Sequence, residues 1–198
     1  QTKLVSASAF WDPAFGSASG DRSVLAIIYA DADGRFYLHH MEYIKVEAQS
    51  EQDEATQQCR IVAQIAKAHY LPSITVETNG IGKFLPKILR NEMAKAHVPC
   101  SVLEQNQTRS KSDRILEAFD AILAAQRLSV NAAVLKTPFR NEMQEWRPSG
   151  GKGHDDGLDA VASALLQSPD RLPRIFGKGH HGWMNNNNTI RADTNFRV

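Results

Sequence analysis

Hydrophobic positions change their period along the chain at about Gln52, and the change separates two kinds of element. Before it, short apolar runs alternate with turn residues. Leu4 to Trp11 reads as a mostly apolar strand that stops at Asp12-Pro13, because proline has no N–H to give a ladder and fixes its own φ. After the segment GSASGDRS, rich in Gly and Ser, Ser23 to Ala30 reads as a second and strongly apolar strand. Asp33-Gly34 is a hairpin turn signal, and Arg35 to Val46 reads as a third strand with mixed faces. Together they predict an antiparallel meander.

From Gln52 to Tyr70 the apolar positions Ala55, Cys59, Val62 and Ala66 follow helical spacing, closed by Pro72. Ser73 to Glu77 (SITVE) is a short β-branched strand, followed by a turn over Thr78 to Gly82. Lys83 to His97 reads as a helix with Pro86 tolerated in its first turn. Cys100 to Leu103 reads as a strand, Asp113 to Arg127 as a helix and Phe139 to Trp146 as a short helix. A loop with three glycines, Arg147 to Gly153, leads into a final helix from Asp156 to Gln167. A meander followed by alternating helices and strands predicts an α/β fold, a mixed sheet with helices on both faces. From Pro169 the composition shifts, so residues 1–179 are read as one domain and residues 180–198, with the run Asn185 to Asn188, as a poorly ordered tail.

The 198 residues are 42% hydrophobic and 23% charged, enough for one sizeable core. The formal net charge of +1 gives no global basic signal, so a nucleic-acid partner would have to be met by a local patch. Cys59 and Cys100 form no C-x-x-C pair, which argues against structural zinc and for two reduced thiols. No apolar run approaches the roughly 20 residues of a membrane span.

The chemistry lies in carboxylates. Asp12 closes the first strand and Glu77 closes SITVE, the end of a sheet strand at which open α/β sheets place ligands. Within GHDDGLDAVASALL, Leu158, Val161, Ala162, Leu165 and Leu166 mark a buried stripe. Asp159 lies at the edge of that stripe, and Asp156 stands one turn earlier. An N-cap accounts for Asp155, but Asp159 beside the stripe has no such ordinary reason. Asp and Glu oxygens with little histidine suit Mg²⁺ or Mn²⁺ rather than zinc. Two such ions would clamp the attacking and leaving oxygens of a phosphodiester.

DPAFGSASGDRS, VETNGIG and GHDDGLDAVASAL, in that order, resemble the nuclease domain of phage terminase large subunits, within the RNase H-like, RuvC-like nucleases. The resemblance covers Leu4 to Gln167. It implies a metal-dependent endonuclease cutting concatemeric double-stranded viral DNA during packaging, with Asp12, Glu77 and Asp156 holding two Mg²⁺ or Mn²⁺ ions and Asp159 assisting. Asp155 is kept as a cap or outer neighbour. QTRSKSDRILEAF is similar to the family's basic loop before a helix, where Arg109, Lys111 and Arg114 would face phosphates. Lys152 is a further candidate for a scissile phosphate. By the same resemblance the partners are DNA, the terminase ATPase domain, the portal and the small terminase subunit. The setting is the host cell cytoplasm, and the isolated domain is expected to be a monomer. No G-x-x-x-x-G-K-S/T occurs, so ATP hydrolysis is not expected of this chain. A Holliday junction resolvase and a non-catalytic DNA-binding or docking module are the alternatives.

Overall fold

The structure, a computed structural model, describes residues 3–16, 22–79, 83–149, 153–172 and 196–197. The meander forms as β1 (Leu4–Asp12), β2 (Val24–Asp31) and β3 (Phe36–Tyr43). Both pairings are antiparallel. β3 is shorter than expected because its last partner, Val24, begins β2; opposite Tyr43 the ladder runs out, and only the Ile44 N–H reaches back, to the Ser23 carbonyl at 2.9 Å. Helix α1 (Glu54–Ala68) starts where the Asp53 carboxylate accepts the Thr56 N–H, filling one of the donors a helix start leaves open. β4 (Ser73–Glu77) follows, then α2 (Leu85–Lys95), β5 (Ser101–Gln105) and α3 (Lys111–Ala124). After them come β6 (Leu128–Asn131), a 3₁₀ turn over Val134–Lys136, α4 (Phe139–Glu145) and α5 (Asp156–Leu166).

The strand order is β5-β4-β1-β2-β3-β6. β4 joins β1, β5 joins β4 and β6 joins β3, all in parallel. Two-residue strands complete the sheet: β7 (Asp170–Arg171) pairs with β1, and β8 (Phe196–Arg197) pairs with β6. Residues 180–195, most of the expected tail, lie outside the described residues.

Because side chains alternate across a strand, β1 serves two cores. Ala7, Ala9 and Trp11 pack with Leu25, Ile27, Ile74 and Val76 under α1 and α2. Phe10 packs on the other face with Ala26, Ile28, Ile115 and Phe119 under α3 and α5. α5 is not the amphipathic helix its apolar stripe predicted. Every residue from Asp156 to Ala164 is buried. Alanines 160, 162 and 164, with Gly157, keep the helix slim enough to lie close against the sheet. Among the described residues, no helix is long and apolar enough to cross a membrane.

Candidate metal centre

β1 and β4 run parallel, with Phe10 opposite Thr75 and Trp11 opposite Val76. One residue further along each strand stand Asp12 and Glu77. Each is two residues beyond a partner on the α3/α5 face, so both carboxylates turn toward α5. There they meet Asp159. One carboxylate oxygen from each of Asp12, Glu77 and Asp159 lies within 4.8 Å of the others. Three acids distant in sequence thus converge from two strand ends and one helix.

The surroundings hold these acids in place. Glu77 Oε1 accepts from Asn79 Nδ2 at 2.9 Å, and Asn79 is tied in turn to the backbone of Gln107. Glu77 Oε2 is buried with no hydrogen-bond partner among the described residues. The turn after Asp12 is fixed by a buried chain: the Trp11 indole donates to Ser23, Ser23 to Gln58, and Gln58 to the Ala14 carbonyl. Asp159 is gripped by Arg114, whose Nε donates to Oδ1 at 2.9 Å and whose Nη2 donates to Oδ2.

Burial raises the Asp12 carboxyl well above its ordinary range, and the charges of Glu77 and Asp159 push it further. Glu77 is raised in the same way, first by burial and then by Asp159. Burial also lifts Asp159 against the pull of Arg114. Carboxylates crowded to this degree favour a proton or a cation among them.

Asp156, expected to hold an ion, is buried one turn before Asp159 and is already engaged. Lys111 Nζ lies 2.8 Å from its Oδ1 and 2.7 Å from Asp155 Oδ1. The Arg22 backbone N–H donates to Asp156 Oδ2 at 3.1 Å. Asp155 takes the N-cap position of α5 but makes no side-chain cap hydrogen bond; its carboxylate goes to Lys111. The three basic residues of the Arg109–Arg114 stretch therefore separate. Lys111 and Arg114 point into the acids, while Arg109 is exposed and paired with Glu117. Burial opposes the Lys111 charge, but Asp155 and Asp156 outweigh it and hold the ammonium above its usual range. Lys152 lies outside the described residues.

Sequence reasoning missed Glu142. This buried carboxylate from α4 accepts the Leu158 N–H at 3.1 Å and the Tyr43 hydroxyl at 3.0 Å. It thereby does for α5 what the Asp155 side chain does not, satisfying a first-turn N–H and complementing the helix dipole. A Cβ on Gly157 would lie 2.0 Å from Tyr43 Oη and 2.6 Å from Glu142 Oε2, so the cradle requires glycine there. The only sequence signal was Gly157 inside an otherwise strong helix, a residue that usually weakens one.

The donor set fits a hard divalent cation. It is all oxygen, it draws on three elements, and it includes a buried carboxylate oxygen with no partner among the described residues.

The family described as Terminase RNaseH-like domain matches residues 9–168. No match was found among curated proteins. Among solved structures, the fold is similar to a large terminase subunit fragment from bacteriophage Sf6 with calcium, at TM-score 0.60 and 9% identity over 82% of this chain and 89% of that one. It is similar also to the nuclease domain of the Sf6 large terminase subunit with manganese, at TM-score 0.56 and 8% identity over the same shares, 82% and 89%. At such identity these likenesses establish the fold, an RNase H-like mixed sheet with helices on both faces. With the family match spanning most of the sequence, the chain belongs to the terminase RNaseH-like domain family.

Proposed function

We propose that this nuclease domain is a metal-dependent endonuclease that cuts double-stranded viral DNA during genome packaging in the infected cell. One observation carries the reading: Asp12, Glu77 and Asp159 converge within 4.8 Å from separate elements. Those three residues would hold the divalent cation, with Asp156 and Asp155 beside them. When bound, Mg²⁺ or Mn²⁺ supplies Lewis-acid stabilisation of phosphoryl oxygens and a water of lowered pKa. The chain's own residues supply the rest. The backbone register of β1 and β4 aims two carboxylates at one point, Arg114 fixes the rotamer of Asp159, and Asn79 fixes that of Glu77. Lys111 and Arg114 carry permanent positive charge at the edge of the acids, where a phosphate would approach. The Sf6 domain with manganese supports the choice of ion. Low sequence specificity is expected, since phosphate contacts carry no base information. The ATPase domain, portal and small subunit of a packaging machine are the partners this reading predicts.

Plasmid cleavage with Mn²⁺, with EDTA and with a folded Asp12→Ala variant tests it. Nicking and linearisation that need Mn²⁺ and vanish in the variant are expected. A folded variant of full activity, or cutting that persists in EDTA, overturns the proposal. A strong preference for four-way junctions over linear duplex would favour a resolvase instead.

A further inference from the structure

The acids divide into two groups of unequal availability. Asp12, Glu77 and Asp159 form one group, in which Glu77 Oε2 has no partner among the described residues. Asp155 and Asp156 form the other, and a cation already bridges them: Lys111 Nζ, 2.7 and 2.8 Å from their Oδ1 atoms. The second oxygen of Asp156 is also committed, to the Arg22 N–H at 3.1 Å, with His154 Nδ1 at 3.8 Å. We infer that Lys111 is a tethered cation that holds the second-ion seat, so that the free protein loads one divalent ion at Asp12–Glu77–Asp159 and none at Asp155–Asp156. The inference rests on the metal-dependent reading above.

Charge and geometry support it. Lys111 and Arg114 set two positive charges, both drawn inward, against five carboxyl groups, an excess of three negative charges once all five are ionised. One divalent ion removes most of that excess. A second would reverse its sign unless Lys111 withdrew. Nor can ammonium and ion both stand between the two Oδ1 atoms: Mg²⁺ bound to both at about 2.1 Å would take the place that Nζ holds. Lys111 is free to withdraw without breaking the fold. It stands in the first turn of α3, its side chain is 32% exposed, and the helix cap depends on Ser110 and Asp113 instead. Lys111 is thus a positioning residue that competes with an ion for the same oxygens.

The test counts Mn²⁺ ions bound per DNA-free chain, from the EPR signal of unbound Mn²⁺, in wild type, Lys111→Met and Lys111→Arg. One ion is expected in wild type, two in Lys111→Met and one in the charge-preserving Lys111→Arg. Two ions in wild type, or one in a folded Lys111→Met, overturns the tethered cation and leaves the nuclease reading standing. No ion in any of the three overturns the nuclease reading itself. A second measurement avoids variants. The Lys111 ammonium NMR resonance of wild type should stay protected from exchange with Mg²⁺ at saturation, and its loss on loading the first ion refutes the inference.

Discussion

Replacing Asp12 by Asn should make the metal-free protein more stable and leave it unable to use a divalent ion. The substitution removes a negative charge and keeps nearly the same shape. Asp12 faces Glu77 and Asp159 with carboxylate oxygens within 4.8 Å. Two unit charges at that separation repel by about 3.5 kcal/mol per pair at an effective dielectric constant of about 20. Lys111 and Arg114 offset part of this, and Asp12 escapes more of it by taking up a proton, as its raised pKa shows. A net gain of about 1–2 kcal/mol remains, and for a domain of this size that raises Tm by about 3–6 °C. Mn²⁺ should reverse the ranking. Wild type gains about 2.7 kcal/mol when the ion is at a hundredfold its Kd, and Asp12→Asn gains little. Thermal melts in EDTA and in Mn²⁺ measure both effects on one sample. An Asp12→Asn protein less stable than wild type in EDTA, or one that Mn²⁺ stabilises as strongly, would refute the reasoning that Asp12 is held in a repulsive cluster awaiting a cation.

Three further outcomes are expected. Arg114→Ala strands the buried Asp159 charge and should cost about 3–5 kcal/mol in EDTA; Mn²⁺ should recover more stability in this variant than in wild type, as paired melts would show. Gly157→Ala drives a methyl into Tyr43 Oη, 2.0 Å away, and should destabilise by about 1–3 kcal/mol, with Tyr43→Phe in the same chain restoring part of the loss in a urea titration. The third concerns pH. Asp12 and Glu77 titrate above the ordinary carboxylate range, so their contribution to metal-free stability is complete below about pH 4 and is lost as pH rises through the raised values. Mn²⁺ affinity should climb across that same interval with release of protons, which calorimetry in buffers of differing ionisation enthalpy would detect; a pH-independent affinity above pH 4 contradicts the crowding of these two acids.

Much of the fold was legible because two periods dominate it. The meander and the order of later elements follow from alternation in β1 to β3 and from helical spacing in α1 and α3. The convergence of Asp12 and Glu77 was legible as well, since both close apolar strands that parallel pairing would bring level. What escaped depends on contacts made across the fold. β6 is a four-residue strand with only Leu128 and Val130 alternating, too little signal beside the helix before it. α3 starts at Lys111 because Ser110 caps it, two residues earlier than its apolar positions suggested, and that extra half turn brings Lys111 onto Asp155 and Asp156. The ranking of the α5 acids could not be read from a wheel either. Asp159 joins Asp12 and Glu77, whereas Asp156, expected to lead, is occupied by Lys111. Glu142 lay on a helix of no evident importance, and only packing of α4 against α5 and Tyr43 gives its carboxylate a task.

The most direct measurement is a crystal of the wild-type chain soaked in Mn²⁺, with anomalous differences collected at the manganese edge. A peak bounded by carboxylate oxygens of Asp12, Glu77 and Asp159 is expected. A well-ordered site with no peak there, or manganese bound only elsewhere on the molecule, would contradict a metal centre at these three acids.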